Sequence, residues 1–352
     1  MAKNATFGLA GLLTHGYMPG QDHIMDAYGR TFSYLRISVT DLCNLRCVYC
    51  MPEEGVEWLP PQEILTFEEI VTVVEAAAAC GVHKVRLTGG EPLMRKQIDR
   101  LVGMVVRVPG ITDLAMTTNG IRLEKFATRL ATAGLKRINI SLDTMDPVKF
   151  KTIARRGELG DVLQGIRAAE AAGLSPIKIN TVVLGGLNDA EAVDFAALTL
   201  VRPLEVRFIE YMPLAEAKDC ALGSGDFVFV PGNVTKARVE ERFGALEPLE
   251  VGDNMKGPAE VWQIKGAAGR IGFISAMSAP FCRRCDRLRL TCTGEVRSCL
   301  LDGGGVEIKS ILRGGGSRGD LIAAFRLAAS LKPEVHKAWD EIPAANMSRI
   351  GG

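Results

Sequence analysis

The chain has 352 residues, and its 42 lysines and arginines nearly balance its 41 aspartates and glutamates. This length allows one large α/β domain with a smaller one, and an apolar content of 47% predicts an ample core. The near-neutral charge argues against a bulk nucleic-acid binder, although it permits a local basic pocket. The nine cysteines are an odd number, and six of them fall in two spaced groups. This pattern favours thiolate ligation in a reducing cytoplasm over a disulfide framework.

The first thirty residues carry a weak resemblance to a targeting segment. A short apolar run at residues 7–13 is interrupted by Gly8 and Gly11, and no clear cleavage site follows. Elsewhere, no apolar stretch approaches the roughly 20 residues that a membrane-spanning helix needs. We therefore interpret residues 1–30 as a partly ordered arm and expect no membrane partner.

Short β-branched runs alternate with amphipathic stretches between Thr31 and about Leu214. The predicted strands are Tyr34–Val39, Lys84–Leu87, Asp113–Thr117, Arg137–Ser141, Ile177–Val183 and Glu205–Ile209. The predicted helices lie near 66–80, 95–107, 122–133, 160–172 and 189–199. Because parallel neighbours need crossover connections, this alternation predicts a parallel sheet, either open and doubly wound or curved into a partial barrel. In both architectures the chemistry is expected at the carboxyl ends of the strands.

Cys43, Cys47 and Cys50 form a C-x3-C-x2-C motif in a loop directly after the first predicted strand. A structural zinc site normally takes four protein ligands, whereas an iron–sulfur cluster held by three leaves one iron open. No other Cys or His lies within residues 31–61, so the motif favours an open cluster over zinc. Three unconnected structural cysteines fit less well, because charged and amide side chains make this loop polar.

Polar residues follow or end the predicted strands. They include the segments Gly89-Gly90-Glu91-Pro92, Thr117-Thr118-Asn119-Gly120, Ser141-Leu142-Asp143 and Glu210-Tyr211-Met212-Pro213, with Lys178 and Asn180 on the fifth strand. Because the carboxyl ends of parallel strands meet at one edge, this clustering predicts a site there. In the Gly-Gly-Glu-Pro loop we expect the glycines to let the backbone approach a ligand closely.

The composition of the chain changes at about 215–258, where Gly and Pro are frequent. Beyond this break, Glu260–Ile274 and Leu288–Arg297 alternate like hairpin strands. Further helices are predicted at 234–243, 320–331 and 334–340. We therefore divide the chain into an arm (1–30), an α/β domain (31–222) and a smaller α+β domain (223–352).

A second cysteine group lies in this smaller domain, at Cys282, Cys285 and Cys299. A three-thiolate site is again predicted, but Cys292 lies within the group and would serve as a fourth ligand. On the residues alone, zinc and an open iron–sulfur cluster both remain candidates.

Arg287 and Arg289 lie between these cysteines at strand spacing, so both side chains should face one side. Asp286 is the one acidic residue between positions 275 and 293. Arginines beside a metal site without compensating acids indicate an anion pocket, and phosphate is the natural partner. The alternative is a solvated, salt-bridged hairpin.

Taken together, these motifs resemble the radical S-adenosylmethionine (SAM) superfamily, with Tyr49 directly before the third cysteine. The second triad, its two arginines and the terminal Gly351-Gly352 resemble the GTP 3′,8-cyclase family of molybdenum cofactor biosynthesis. This resemblance extends from about Thr31 to Gly352 and leaves only the arm outside it.

The resemblance implies an incomplete six-unit (β/α) barrel with a smaller C-terminal α+β domain. It implies two [4Fe–4S] clusters, one held by Cys43, Cys47 and Cys50 and the other by Cys282, Cys285 and Cys299. The implied SAM contacts are Tyr49, Gly90, Ser141 and Met212. The implied GTP contacts are Arg36, Arg86, Thr117, Lys178, Arg287, Leu288 and Arg289, of which Arg36, Arg287 and Arg289 would be catalytic.

In that family, SAM is cleaved to methionine and a 5′-deoxyadenosyl radical that takes the 3′ hydrogen of GTP. The implied activity is that of a lyase that forms (8S)-3′,8-cyclo-7,8-dihydroguanosine 5′-triphosphate. The product would pass to a cyclic pyranopterin monophosphate synthase. The resemblance also allows a homodimer and implies that the two terminal glycines reach into the active site.

Two other functions remain open at this point. One is a different radical SAM enzyme with an auxiliary cluster, such as a peptide-modifying maturase, although only four cysteines follow Gly223. The other is a non-catalytic protein stabilised by zinc.

Overall fold

A computed structural model describes residues 23–213, 227–250, 257–302, 304–338, 341–342 and 347–350. Its strands are β1 (Tyr34–Ser38), β2 (Lys84–Thr88), β3 (Asp113–Thr118), β4 (Arg137–Ser141), β5 (Ile177–Val183), β6 (Glu205–Glu210), β7 (Glu247–Pro248), β8 (Glu260–Gln263), β9 (Arg270–Ile274), β10 (Arg287–Leu290), β11 (Glu295–Arg297) and β12 (Gly305–Glu307). Its helices are α1 (Phe67–Ala78), α2 (Ile98–Val106), α3 (Leu123–Thr132), α4 (Pro147–Ala154), α5 (Leu159–Ala171), α6 (Ala192–Val201), α7 (Gly232–Phe243), α8 (Lys309–Arg313), α9 (Arg318–Ser330) and α10 (Met347–Ile350).

Strands β1 to β6 are parallel and lie side by side in chain order. A doubly wound sheet reverses its strand order at a switch point, so the sequential order excludes that alternative. Right-handed crossovers that all progress in one direction place the helices on one face of the sheet, as in a barrel. The predicted incomplete six-unit (β/α) barrel is confirmed.

The strands of the C-terminal segment extend the barrel sheet at both of its edges. Strand β10 pairs in parallel with β1, and β9 pairs in parallel with β6. The order within the described residues is β12-β11-β10-β1-β2-β3-β4-β5-β6-β9-β8-β7. Residues far apart in the sequence therefore flank the same cavity. The domain boundaries at 30 and 222 stay predictions.

The core lies between the barrel sheet and its helices. Helix α1 begins at a capping box in which Thr66 and Glu69 bond each other's backbone amides. It buries Ile70, Val73 and Val74 in the same cluster as the interior residues of the sheet. None of the helices in the described part of the chain is long and apolar enough to cross a membrane.

Three observed helices, α4, α8 and α10, lie outside the predicted ones, and one predicted helix is wrong. Helix α4 was not predicted, although Asp146 caps it and Pro147 opens it. The helix predicted at 334–340 is wrong, because the described residues 334–338 are not helical. The carbonyls of Pro333 and Glu334 accept hydrogen bonds from the Arg30 guanidinium instead of from helical amides.

Candidate functional site

A cavity of about 280 Å³ lies inside the barrel, between strands β1 to β6 and the C-terminal segment. This volume is close to the lower end of the range for small-molecule sites, about 300 to 1,000 Å³. The predicted site residues in its wall are Arg36, Cys43, Cys47, Tyr49, Cys50, Arg86, Gly90, Thr117, Ser141, Met212, Cys282, Cys285, Arg287, Arg289 and Cys299. Two predicted GTP contacts, Lys178 and Leu288, do not line this cavity.

The Gly-Gly-Glu-Pro loop packs on the backbone of the first cysteine loop. The Gly90 amide donates to the Thr40 carbonyl at 2.8 Å, and the Glu91 amide donates to the Leu42 carbonyl at 2.7 Å. A Cβ atom on Gly90 would lie 2.4 Å from the carbonyl oxygens of Asp41 and Leu42. Glycine is therefore required at position 90 because the cysteine loop packs against it. We had expected this glycine to make room for a ligand.

Glu91 connects the end of β3 to the first cysteine loop, a role that the sequence did not reveal. Its carboxylate accepts hydrogen bonds from the Thr118 hydroxyl and the Asn119 amide, both at 2.7 Å. The Asn119 side-chain amide donates to the Asn44 side chain at 2.9 Å and lies 4.0 Å from the Cys43 sulfur. Burial raises the pKa of Glu91. These bonds hold the cysteine loop in one position.

The cysteines of the first triad are half-buried in the cavity wall. Burial raises the pKa of Cys43 to about 11 and that of Cys47 well above its usual range. Because metal ligands must be thiolates, loading this site displaces protons. Within the ranges described, no three His, Cys, Asp or Glu side chains are arranged around a single metal ion. Three thiols on one cavity wall fit a cluster, whose irons occupy separate corners.

Tyr49 is oriented by Asp143, which lies next to it in the cavity wall. The Tyr49 hydroxyl donates to one carboxylate oxygen of Asp143 at 2.7 Å, and the Val182 amide donates to the other at 2.9 Å. Burial raises the pKa of Asp143 to about 6 and that of Tyr49 well above its usual range. The tyrosine ring beside the third cysteine therefore has a fixed orientation.

Three arginines from neighbouring strands lie side by side in the cavity wall. Arg36 of β1 is flanked by Arg289 of β10 and Arg86 of β2. Burial and the charge of Arg289 lower the pKa of Arg36 well below its ordinary value. Burial and Arg287 lower the pKa of Arg289 to about 10. Guanidinium groups bind phosphate and carboxylate oxygens through paired hydrogen bonds, so a wall with three adjacent arginines is suited to a polyanion. Leu288 faces the core, because side chains alternate along a strand.

Several polar atoms of the same cavity have no hydrogen-bond partner among the described residues. They are the hydroxyl oxygens of Tyr34, Thr117 and Ser298 and the side-chain carbonyl oxygen of Asn180. Buried polar atoms in proteins are normally hydrogen-bonded. These atoms therefore mark positions at which a bound ligand can form hydrogen bonds.

Lys178 is held behind the cavity wall by Glu205. Its ammonium lies 2.8 Å from the Glu205 carboxylate, and Arg207 shares that carboxylate at 2.5 Å. Burial and Arg207 lower the pKa of Lys178 to about 7. Burial would raise the pKa of Glu205, but Arg207 and Lys178 lower it to about 2. Arg207 was not predicted as a site residue, but it lines the cavity. Lys178 was predicted as a GTP contact and does not line it.

The second triad differs electrostatically from the first. Cys282, Cys285 and Cys299 line the opposite part of the cavity together with Arg287 and Lys332. Burial would raise the pKa of Cys285, but Arg287 and Lys332 lower it to about 7. Burial would likewise lower the pKa of Arg287. The charge attraction between Arg287 and Cys285 and the hydrogen bond between them raise it instead. The neighbouring cations thus favour the thiolate that metal ligation requires.

Cys292 does not line the cavity. Its side chain is 1% exposed and contacts the Ser38 hydroxyl, and burial raises its pKa to about 11. Its carbonyl accepts a hydrogen bond from the Leu65 amide at 2.9 Å. Cys292 is therefore placed as a small buried residue, and its position gives no support to a fourth ligand.

The cavity wall contains further Arg, Lys and His side chains that sequence reasoning missed, namely Arg30, Arg207, Lys332 and His336. Lys332 and His336 follow helix α9, and His336 lies in the segment 334–340 that was expected to be helical. Arg30 belongs to the arm, for which no role was predicted. Arg30, Lys332 and His336 bond residues distant in the sequence, so the local sequence pattern carried little signal of their position.

Comparison with known proteins identifies the family. A model described as the radical SAM superfamily matches residues 37–199, and one described as Molybdenum Cofactor Synthesis C matches residues 204–338. GTP 3′,8-cyclases of Pelotomaculum thermopropionicum, Heliobacterium modesticaldum and Moorella thermoacetica are 48%, 45% and 46% identical to this chain. Each alignment covers 94% of this chain and 100% of the relative. The chain belongs to the GTP 3′,8-cyclase family.

Structural comparison agrees on the fold of this GTP 3′,8-cyclase family member. Streptococcus suis SuiB bound to S-adenosylmethionine shares 15% sequence identity with it, at a TM-score of 0.53. That alignment covers 88% of this chain and 77% of the SuiB chain. At this identity the likeness concerns the fold alone.

Membership in the GTP 3′,8-cyclase family confirms the resemblance found in the sequence and makes the chain a radical SAM enzyme of lyase type. The alternatives of a non-catalytic zinc protein and a peptide-modifying maturase are not supported. The Gly351-Gly352 tail, predicted to reach into the active site, lies outside the described residues.

Proposed function

We propose that this chain converts GTP to (8S)-3′,8-cyclo-7,8-dihydroguanosine 5′-triphosphate, the first step of molybdenum cofactor biosynthesis. One observation carries this proposal beyond the family name. Arginines from the barrel and from the C-terminal segment meet in one cavity, with a cysteine triad on each side of them. A triphosphate is the ligand that such a row of buried cations favours.

In this proposal the arginine row binds the triphosphate and ribose of GTP. Arg36, Arg287 and Arg289 contact the substrate and are the catalytic arginines, while Arg86 and Thr117 complete the wall. Lys178 acts through the Glu205 carboxylate that it shares with Arg207. Because β1 and β10 come from opposite ends of the chain, GTP would bind both segments at once.

The two triads each fit a [4Fe–4S] cluster. Cys43, Cys47 and Cys50 would hold the first and leave one iron open to SAM, and Cys282, Cys285 and Cys299 would hold the second. When bound, the first cluster and SAM supply the one-electron chemistry that removes the 3′ hydrogen of GTP. Tyr49, Gly90, Ser141 and Met212 line the wall where SAM would bind. The enclosing barrel excludes water, which would otherwise compete for reactive species.

We further propose that the enzyme acts in the cytoplasm and passes its product to a cyclic pyranopterin monophosphate synthase. None of the eight cysteines in the described ranges is in a disulfide. This state supports a reducing compartment. The homodimer allowed by the family stays a prediction.

An anaerobic assay tests the proposed activity. The protein is reconstituted with iron and sulfide and mixed with reductant, SAM and each nucleoside triphosphate separately. We expect 5′-deoxyadenosine and a cyclised guanine product with GTP alone. Equal product formation with all four nucleotides, or SAM cleavage that no nucleotide changes, would overturn the assignment.

A further inference from the structure

Residues 332–336 wrap around the second cysteine triad. The buried ammonium of Lys332 donates to the Arg287 carbonyl at 2.9 Å and to the Ser298 carbonyl at 2.5 Å. It also forms a hydrogen bond with the Cys285 sulfur. One side chain therefore connects the loop that contains Cys285 with the loop that leads into Cys299.

The same segment contacts the third member of the triad. The backbone amide of His336 donates to the Cys282 sulfur. The His336 side chain lies 2.9 Å from the Ala276 carbonyl through Nε2. The segment thus bonds Cys285 and Cys282 directly, through Lys332 and His336. It reaches Cys299 through the carbonyl of the preceding residue, Ser298.

Arg30 fixes the segment from the other side of the molecule. Its guanidinium donates to the carbonyls of Cys282 at 2.8 Å, Pro333 at 2.7 Å and Glu334 at 3.2 Å. Asp26 pairs with Arg30 at 2.5 Å, and both side chains are almost fully buried. Arg30 therefore bonds both the segment that begins with Lys332 and the backbone of Cys282.

The position of Lys332 also matters electrostatically. It is 5% exposed, and its ammonium lies 5.3 Å from the centre of the Phe32 ring on one side and bonds Cys285 on the other. A charge in such a poorly solvated place acts on its neighbours much more strongly than one in water. A nearby cation favours the more negative, reduced state of any cluster held there.

We propose that Lys332 is a positioning residue of the second triad that fixes Cys285 and Cys299 and raises the reduction potential of the cluster bound there. This inference rests on the proposed function, since it requires a cluster at the second triad. It goes further because it assigns control of that cluster's reduction potential to a side chain that is not a cluster ligand.

The test compares Lys332→Met, which keeps the length and loses the charge, with Lys332→Arg, which keeps the charge. Lys337→Met is the matched control, because Lys337 lies five residues on, is half exposed and is 3.8 Å from Asp302. Each full-length protein is reconstituted anaerobically, and iron content and cluster potentials are measured by redox titration with electron paramagnetic resonance. The second cluster's signal is the one that Cys282→Ala abolishes.

We expect Lys332→Met to lower the midpoint potential of the second signal by at least about 59 mV, a tenfold change in the reduction equilibrium for one electron. Selective loss of the second signal with the first retained would equally support the proposal. Lys332→Arg should restore the wild-type behaviour, and Lys337→Met should show no change.

An unchanged second potential in Lys332→Met with full iron overturns the inference, and so does loss of both clusters together. If Lys332→Met does not fold, Lys332→Gln is judged by the same criteria, because it retains a donor without the charge. Absence of a second signal in the wild-type protein would instead overturn the two-cluster function itself. The two failures are therefore distinguishable.

Discussion

Arg36 lies directly beside Arg289 in the parallel register of β1 and β10. Both side chains line the cavity, and the burial of each together with a neighbouring arginine lowers its pKa. A protein holds such cations together at a cost in stability, which a bound polyanion offsets. We therefore propose that the anion binds where β1 and β10 pair.

Replacing Arg289 with Ala should lower kcat/KM for GTP by roughly 10- to 100-fold, because a hydrogen bond to a charged group contributes about 1.5–3 kcal/mol. Iron at both triads should be unchanged. Arg287→Ala should act in the same direction. The matched control is Arg129→Ala, whose side chain is half exposed and pairs with Asp99 outside the cavity. Wild-type kinetics in Arg289→Ala would refute the polyanion site.

Gly90→Ala should disturb the first cysteine loop. The added Cβ would lie 2.4 Å from two backbone carbonyl oxygens of that loop, so the backbone must shift at a cost of roughly 1–3 kcal/mol. We expect less iron at the first triad after reconstitution and less SAM cleavage. Gly160→Ala is the control, since nothing lies within 4 Å of its added Cβ. Equal iron in both variants would contradict the loop contact.

Glu205→Gln should destabilise the protein strongly, because Lys178 and Arg207 would lose the carboxylate that pairs with both. Breaking a buried ion pair in this way costs about 3–5 kcal/mol. Urea denaturation of the apoprotein measures the change. Glu170→Gln, which breaks a partly exposed pair with Arg202, should cost about 1 kcal/mol or less. Similar losses in the two variants would contradict the role of the buried network.

Lys178 should make stability depend on pH. Its pKa is about 7 in the folded protein and near 10.5 in the unfolded chain. Between these values the unfolded chain binds more protons, so this group makes the free energy of unfolding rise with pH. The stability of Lys178→Met relative to wild type should therefore be greatest below about pH 7 and decrease toward pH 10. Denaturation at several pH values checks this, and a pH-independent difference would argue against it.

Cys292→Ala should leave the iron content of the reconstituted protein unchanged, because this thiol contacts Ser38 and does not line the cavity. Cys299→Ala is the comparison and should lose roughly half of the iron, since each triad holds one of two clusters. Iron analysis and electron paramagnetic resonance measure both. Loss of iron in Cys292→Ala would restore Cys292 as a ligand.

Much of the architecture follows from local patterns in the sequence. The alternation of β-branched runs with amphipathic stretches located all six barrel strands to within about a residue of their observed ends. The spacing of Cys43, Cys47 and Cys50 and of the second triad identified the two sides of the cavity. These features are predictable because strand periodicity and ligand spacing are set by residues close together in the chain.

Tertiary structure decided the features that depend on distant partners. Lys178 lies behind the wall, where it pairs with Glu205, and Arg30 bonds the carbonyls of Pro333 and Glu334, where a helix was predicted to begin. Gly90 is needed by the cysteine loop that it contacts. Lys332 reaches the second triad because helix α9, which packs beside β11 and β12, brings it to the Arg287 and Ser298 carbonyls. Local periodicity contains no information on such pairings, since each depends on residues brought together by the folded sheet.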